Sequence, residues 1–221
     1  MKARRLLYLT SGGMTAHHWQ FGASRQEGSF SINERGRHDF ARYLAKHPDE
    51  AFTLLANLPG ERYQIESIPA LRGPDRHTII RRKLEQLYPG TTLTAALSLG
   101  YQKASRTNEC VLFVALADND DGLLPWLEAL STTGTPLVAV HSLPMLAGSL
   151  FSRLEITEPQ CLLFTVQDQS LRQSYLKNGV VHFSRLTSLH RLGPDETAQA
   201  ILDEASVWPM LRTNSLSCGT M

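Results

Sequence analysis

One pattern occurs twice in this chain of 221 residues and constrains its fold more than any other: three short strands joined by tight turns, then a helix. The first copy runs Arg5-Leu6-Leu7-Tyr8-Leu9-Thr10-Ser11-Gly12-Gly13 into His18-Trp19-Gln20-Phe21-Gly22 and Ser29-Phe30-Ser31-Ile32. The second runs Cys161-Leu162-Leu163-Phe164-Thr165-Val166-Gln167-Asp168 into Leu171-Arg172-Gln173-Ser174-Tyr175 and Val180-Val181-His182-Phe183-Ser184-Arg185-Leu186. Short apolar or aromatic runs bounded by glycine and polar residues are how antiparallel meanders are written. In the first copy Gly12-Gly13 and Gln26-Glu27-Gly28 read as the turns.

Between the copies the hydrophobic period changes. Phe40, Tyr43 and Leu44 make a stripe that predicts a helix over 34–46, ended by His47-Pro48. Ala51–Ala56 reads as a strand buried on both faces. Gly73-Pro74-Asp75 opens a helix whose inner side is Ile80, Leu84 and Leu87, and Tyr88-Pro89-Gly90 stops it. Residues 92–104 fit a strand or a short helix equally. Val111–Leu116, a helix over 121–131 and Pro136–His141 form a strand–helix–strand order that predicts a parallel pair. A helix over 143–154 closes the first lobe, and a helix over 194–208, with Ala198, Ile201, Leu202 and Ala205 as its buried stripe, follows the second meander. The polar link Glu155–Gln160 sets the expected division into domains 1–157 and 158–221.

Composition narrows the function classes. With 22 basic and 21 acidic side chains the charge is nearly balanced, and nothing in that balance suggests nucleic acid or an anionic membrane surface as partner. Cys110, Cys161 and Cys218 are an odd, scattered set that suits a reducing compartment, so a cytoplasmic protein is expected. No apolar run approaches the roughly 20 residues of a membrane span, so no direct membrane insertion is expected. No CxxC, HExxH, Walker or GxGxxG spacing is present, and neither a metal nor a cofactor is expected. Asp118-Asn119-Asp120-Asp121-Gly122 reads as a helix N-cap rather than a calcium loop, because no glutamate closes it. His17 and His18, as neighbours on a strand, point to opposite faces, and His141 reads as a core histidine. Arg72, Arg76, Arg82 and Lys83, with Arg81 among them, form the notable charge cluster; an acidic partner, a phosphate or a solvated helix face each account for it.

The element order, together with Gly73-Pro74-Asp75-Arg76, Arg81-Arg82-Lys83-Leu84, Leu124-Pro125-Trp126-Leu127, Ser142-Leu143-Pro144, Leu171-Arg172-Gln173-Ser174-Tyr175 and Phe183-Ser184-Arg185-Leu186, resembles a set of proteobacterial proteins. Those are similar in outline to the actin-like assembly proteins of type IV pili and to the cytoplasmic domains of type II secretion inner-membrane proteins. The resemblance implies an α/β fold: a ribonuclease H-like (actin-like ATPase) lobe with a mixed sheet and flanking helices, followed by a partial second lobe. In actin-like ATPases the first hairpin turn cradles phosphate with backbone N–H groups and an aspartate positions the metal. The matching turn here offers Gly12 and Gly13 but no carboxylate, and the second turn offers Asp168 but no glycine. The resemblance therefore implies a non-catalytic scaffold with other proteins as partners, inner-membrane assembly components among them. The alternative is a nucleotide-dependent enzyme, an ATPase or sugar kinase with an unusual site. A ribonuclease H-type nuclease ranks last, because its first strand needs a carboxylate and Arg5–Thr10 has none.

Overall fold

A computed structural model describes residues 4–102, 105–116 and 122–189, together with Gly193, Glu196, Ala198, Gln199 and residues 201–203. The chain begins with β1 (Arg4–Thr10), β2 (Gly13–Gln20) and β3 (Ala23–Ser31), then α1 (Glu34–Ala45), β4 (Ala51–Asn57) and β5 (Arg62–Pro69). It continues with α2 (Gly73–Leu87), β6 (Thr94–Gln102), β7 (Ser105–Ala115), α3 (Leu124–Thr132) and β8 (Leu137–Ser142). A 3₁₀ turn (Leu143–Leu146) leads into α4 (Ala147–Arg153), and the second meander is β9 (Gln160–Gln167), β10 (Ser170–Lys177) and β11 (Val180–Ser188). These elements belong to two compact units, 1–59 with 117–156 and 60–116 with 157–221.

The first unit holds a five-stranded sheet in the order β3-β2-β1-β4-β8. The meander strands pair antiparallel, whereas β1/β4 and β4/β8 are parallel. One face carries Leu7, Leu9, Met14, Ala16, Phe52 and Leu54, all buried. α1 supplies Phe40 and Leu44 to the same core, and α3 supplies Trp126, whose ring meets that of Phe40 at 5.2 Å. Asn33 starts α1: its side-chain oxygen accepts from the Gly36 N–H at 2.9 Å, and Glu34 sits in the positive first turn. Gly36 has a second reason to be glycine, since a Cβ there would lie 2.0 Å from the Ser31 carbonyl oxygen.

The second unit holds two three-stranded antiparallel sheets, β5-β7-β6 and β11-β10-β9. α2 covers one face of the first, where Ile68, Val111, Phe113 and Ala115 pack with Ile80, Leu84 and Leu87. Tyr88, just after α2, donates its hydroxyl to the Phe113 carbonyl at 3.0 Å, and burial pushes its phenol up to about 12. β10 is buried from Ser170 through Leu176, as a central strand should be.

The expected mixed sheet, both meanders and most helices are present. The open choice over 92–104 falls to a strand, β6 over Thr94–Gln102. Several expectations change. The expected parallel pair of 111–116 with 136–141 does not form: β5 and β6 occupy both edges of β7, and β8 lies instead beside β4. Chain contacts group 1–59 with 117–156 and 60–116 with 157–221. The second turn of the first meander is Phe21-Gly22, with Gln26-Glu27-Gly28 inside β3 at a bulge. His141 is exposed rather than in the core. Of the stripe expected on 194–208, Ala198 and Leu202 are exposed and Ala205 lies outside the described residues, as does the Asp118–Asp121 cap.

Candidate functional site

The first hairpin turn is closed on itself. The Gly12 N–H donates to the Thr10 hydroxyl at 3.2 Å, and that hydroxyl lies 3.4 Å from the Gly13 carbonyl. Gly13 has φ of 143°, and a Cβ there would fall 2.2 Å from the Phe30 carbonyl oxygen of β3. Both glycines thus have local work: one completes the turn, and the other lets β2 pass close to the neighbouring backbone. The second hairpin turn places Asp168 and Gln169 at φ of 50° and 55°, the left-handed pair that a two-residue turn demands. It is tied down by the Leu189 N–H, which donates to the Gln169 carbonyl at 2.7 Å.

The basic residues of α2 separate into two sets. Arg76 donates through Nε and Nη2 to both oxygens of buried Glu109, at 2.9 and 2.8 Å. That bidentate pair holds the Glu109 carboxyl below the usual range against the opposing effect of burial. Lys83 meets Glu66 at 2.6 Å. Both cations therefore clamp α2 onto its own sheet. Arg72, at the N-cap, and Arg82 are exposed. Gly12 and Gly13 belong to the first unit and this cluster to the second, so the sequence-predicted residues form two separate groups.

Two charge clusters, each built around a buried arginine, escape the sequence reading. In the first unit Arg5 forms ion pairs with Glu27 and Glu50 and donates to the Tyr43 hydroxyl at 3.3 Å. Tyr43 donates in turn to Glu27 at 3.0 Å, His18 approaches Glu27 at 3.5 Å, and His47 approaches Glu50 at 3.2 Å. The Arg5 hydrogen bond holds the Glu50 carboxyl low. Glu27 reaches this group because the bulge in β3 redirects it, and the glycine beside it was the available signal.

In the second unit Arg172 donates to Glu61 at 3.2 and 3.4 Å and to the Ser184 hydroxyl at 3.0 Å. Tyr63 donates to Glu61 at 2.5 Å, and Ser174 lies 3.0 Å from Ser184. Both charged side chains are almost wholly buried. Glu61, Tyr63 and Ser184 also line a cavity of about 350 Å³, walled by Arg62, Tyr88 and Phe183. Arg62 stacks 5.0 Å over the Tyr88 ring. No sequence period announces the Arg172–Glu61 pair, whose members are 111 positions apart.

Among the described residues no group of three or more histidine, cysteine or acidic side chains is arranged to hold a metal ion. Among them, too, no helix is long and apolar enough to cross a membrane.

Neither the protein-family comparison nor the search of curated proteins finds a match. Solved structures do match. The chain is similar to one from a PilM-PilN type IV pilus biogenesis complex, with a TM-score of 0.60 and 14% identity over 91% of this chain and 65% of that one. It is also similar to a Bacteroides thetaiotaomicron protein with an actin-like ATPase fold and unknown function, with a TM-score of 0.50 and 9% identity over 96% of this chain and 77% of that one. The cytoplasmic domain of EpsL, an inner-membrane component of the Vibrio cholerae type II secretion system, is more distant, at a TM-score of 0.44, 13% identity and coverage of 84% and 71%. At such identities the likeness concerns fold, and the mixed 3-2-1-4-8 strand order agrees with it. The chain carries the actin-like ATPase fold.

Proposed function

We propose that this chain is a non-catalytic actin-like domain that serves as a protein–protein assembly scaffold, with pilus or secretion machinery of the cell envelope as its setting. The observation that carries the reading is the first hairpin turn. Its Gly12 N–H is taken by Thr10, its Gly13 is required by the Phe30 backbone, and the turn carries no carboxylate. A phosphate cradle needs outward N–H groups, and a metal–phosphate pair needs an acid beside them. The fold it shares with a chain of the pilus biogenesis complex supports the setting, although this chain spans 65% of that one's length. Its partners would be other proteins, inner-membrane assembly components among them, met on the cytoplasmic side. Arg72 and Arg82 on the outer side of α2 are the residues offered to an acidic partner surface.

Thermal melts with and without ATP and magnesium test the first half. The expected result is an unchanged midpoint, because a ligand stabilises only what it binds. A saturable rise of several degrees would favour the nucleotide-dependent enzyme instead. For the second half, Arg72→Glu with Arg82→Glu should leave the melt intact and weaken capture of the partner. Unchanged capture removes that surface.

A further inference from the structure

The β2–β3 connection is a turn of Phe21 and Gly22, with φ of 52° and 80°. Left-handed backbone costs glycine or asparagine little, whereas in a bulky residue it is an outlier. Phe21 nevertheless holds the first position and is 97% exposed, so its ring returns almost no packing to the fold. Trp19, two residues earlier, is 62% exposed. Two large aromatics thus stand at a site where turn geometry and solubility both favour small polar residues. Such a combination marks a contact made outside the chain.

The surroundings indicate what that contact is. From His17 to Gln26 the hairpin has no aspartate or glutamate, and its permanent cation is the exposed Arg25. A two-residue turn is convex, so it fits a soft, deformable phase. Tryptophan and phenylalanine settle at the headgroup level of a bilayer, and an acid-free, cationic flank is not repelled by anionic lipid. We propose that the β2–β3 tip contacts membranes: Trp19 and Phe21 enter the headgroup region of a bilayer containing anionic phospholipid, with Arg25 at phosphate level. This is shallow, reversible contact and needs no spanning segment. The length of apolar runs and the charge of the whole chain, from which the sequence expectations were drawn, do not bear on a local contact at one turn. It also stands independently of the scaffold reading, whose tests involve nucleotide and α2.

The test is sedimentation of the full chain with vesicles of phosphatidylcholine alone or mixed with phosphatidylglycerol. Binding is expected to the mixed vesicles and about fivefold weaker to phosphatidylcholine, the contribution of about one surface cation. Phe21→Asn suits the left-handed turn, should fold at least as well, and should bind several-fold more weakly. Brominated lipid should quench tryptophan emission in the wild type and not in Trp19→Phe, which keeps an aromatic at the tip. Wild-type protein that stays in solution with both vesicles, Phe21→Asn that binds like wild type, or equal quenching with and without Trp19 would each overturn the proposal.

Discussion

Arg5 and Arg172 are both buried arginines that hold glutamates, yet they sit in different dielectric surroundings. Arg172 and Glu61 expose 3% and 1% of their side chains, and the network around them is closed by Tyr63, Ser174 and Ser184. Arg5 is equally covered, but Glu27 and Glu50 keep 24% and 31% of their side chains in water. The contrast teaches that the energetic weight of an ion pair depends on what its survivor meets when the partner is removed. A stranded Glu61 is almost wholly buried and keeps the Tyr63 hydroxyl but little solvent; a stranded Glu50 keeps 31% of its side chain in water.

The largest effect should follow from Arg172→Met, which leaves Glu61 buried without its arginine. We expect a loss of about 3–5 kcal/mol in denaturant unfolding, most of it recovered in the Arg172→Met, Glu61→Leu double variant. If the double variant is as damaged as the single one, the two arginines do not differ in the way described. Arg5→Ala should cost less, about 1–3 kcal/mol, because solvent reaches both released carboxylates.

Acid sharpens the comparison further. Glu50 in the first unit and Glu109 in the second both have carboxyls held low by an arginine hydrogen bond. Each therefore contributes stability above the unfolded carboxylate value of about 4.3, and loses it as pH falls through the lower folded value. The second unit also contains His182, whose pKa burial lowers, so it begins to lose stability nearer the unfolded histidine value of about 6.5. Unfolding midpoints followed from pH 7 to 4 should show that earlier loss, and His182→Phe should remove it. The smallest effect belongs to Phe21→Asn, which relieves left-handed strain at an exposed site and should raise stability by about 1 kcal/mol.

Much of the fold was legible because its elements are written locally. Phe40 and Leu44 at helical spacing, the Gly73-Pro74-Asp75 start and the short apolar runs of β9–β11 each need only neighbouring residues. Pairing was less legible. β5 has a modest pattern in Tyr63, Ile65 and Ile68, and without it β7 had no visible antiparallel partner and was assigned to β8. The chemistry was least legible of all. Arg76 and Lys83 read as an exposed cluster because the carboxylates that receive them, Glu109 and Glu66, lie on strands at distant positions. Trp19 and Phe21 hid within an apparent strand because the two-residue turn lacks the usual Asn-Gly signal, which β10–β11 does display at Asn178-Gly179.

The interleaving of the two units bears on how such a chain could be synthesised or cut. The backbone passes from one to the other at 59/60, 116/117 and 156/157, so neither is a continuous stretch. During translation Glu61 leaves the ribosome long before Arg172, and β4 before β8. An early carboxylate must therefore wait in water for its cation, and each half stays provisional until the other's segments have emerged. No single scission can release either unit free of segments of the other.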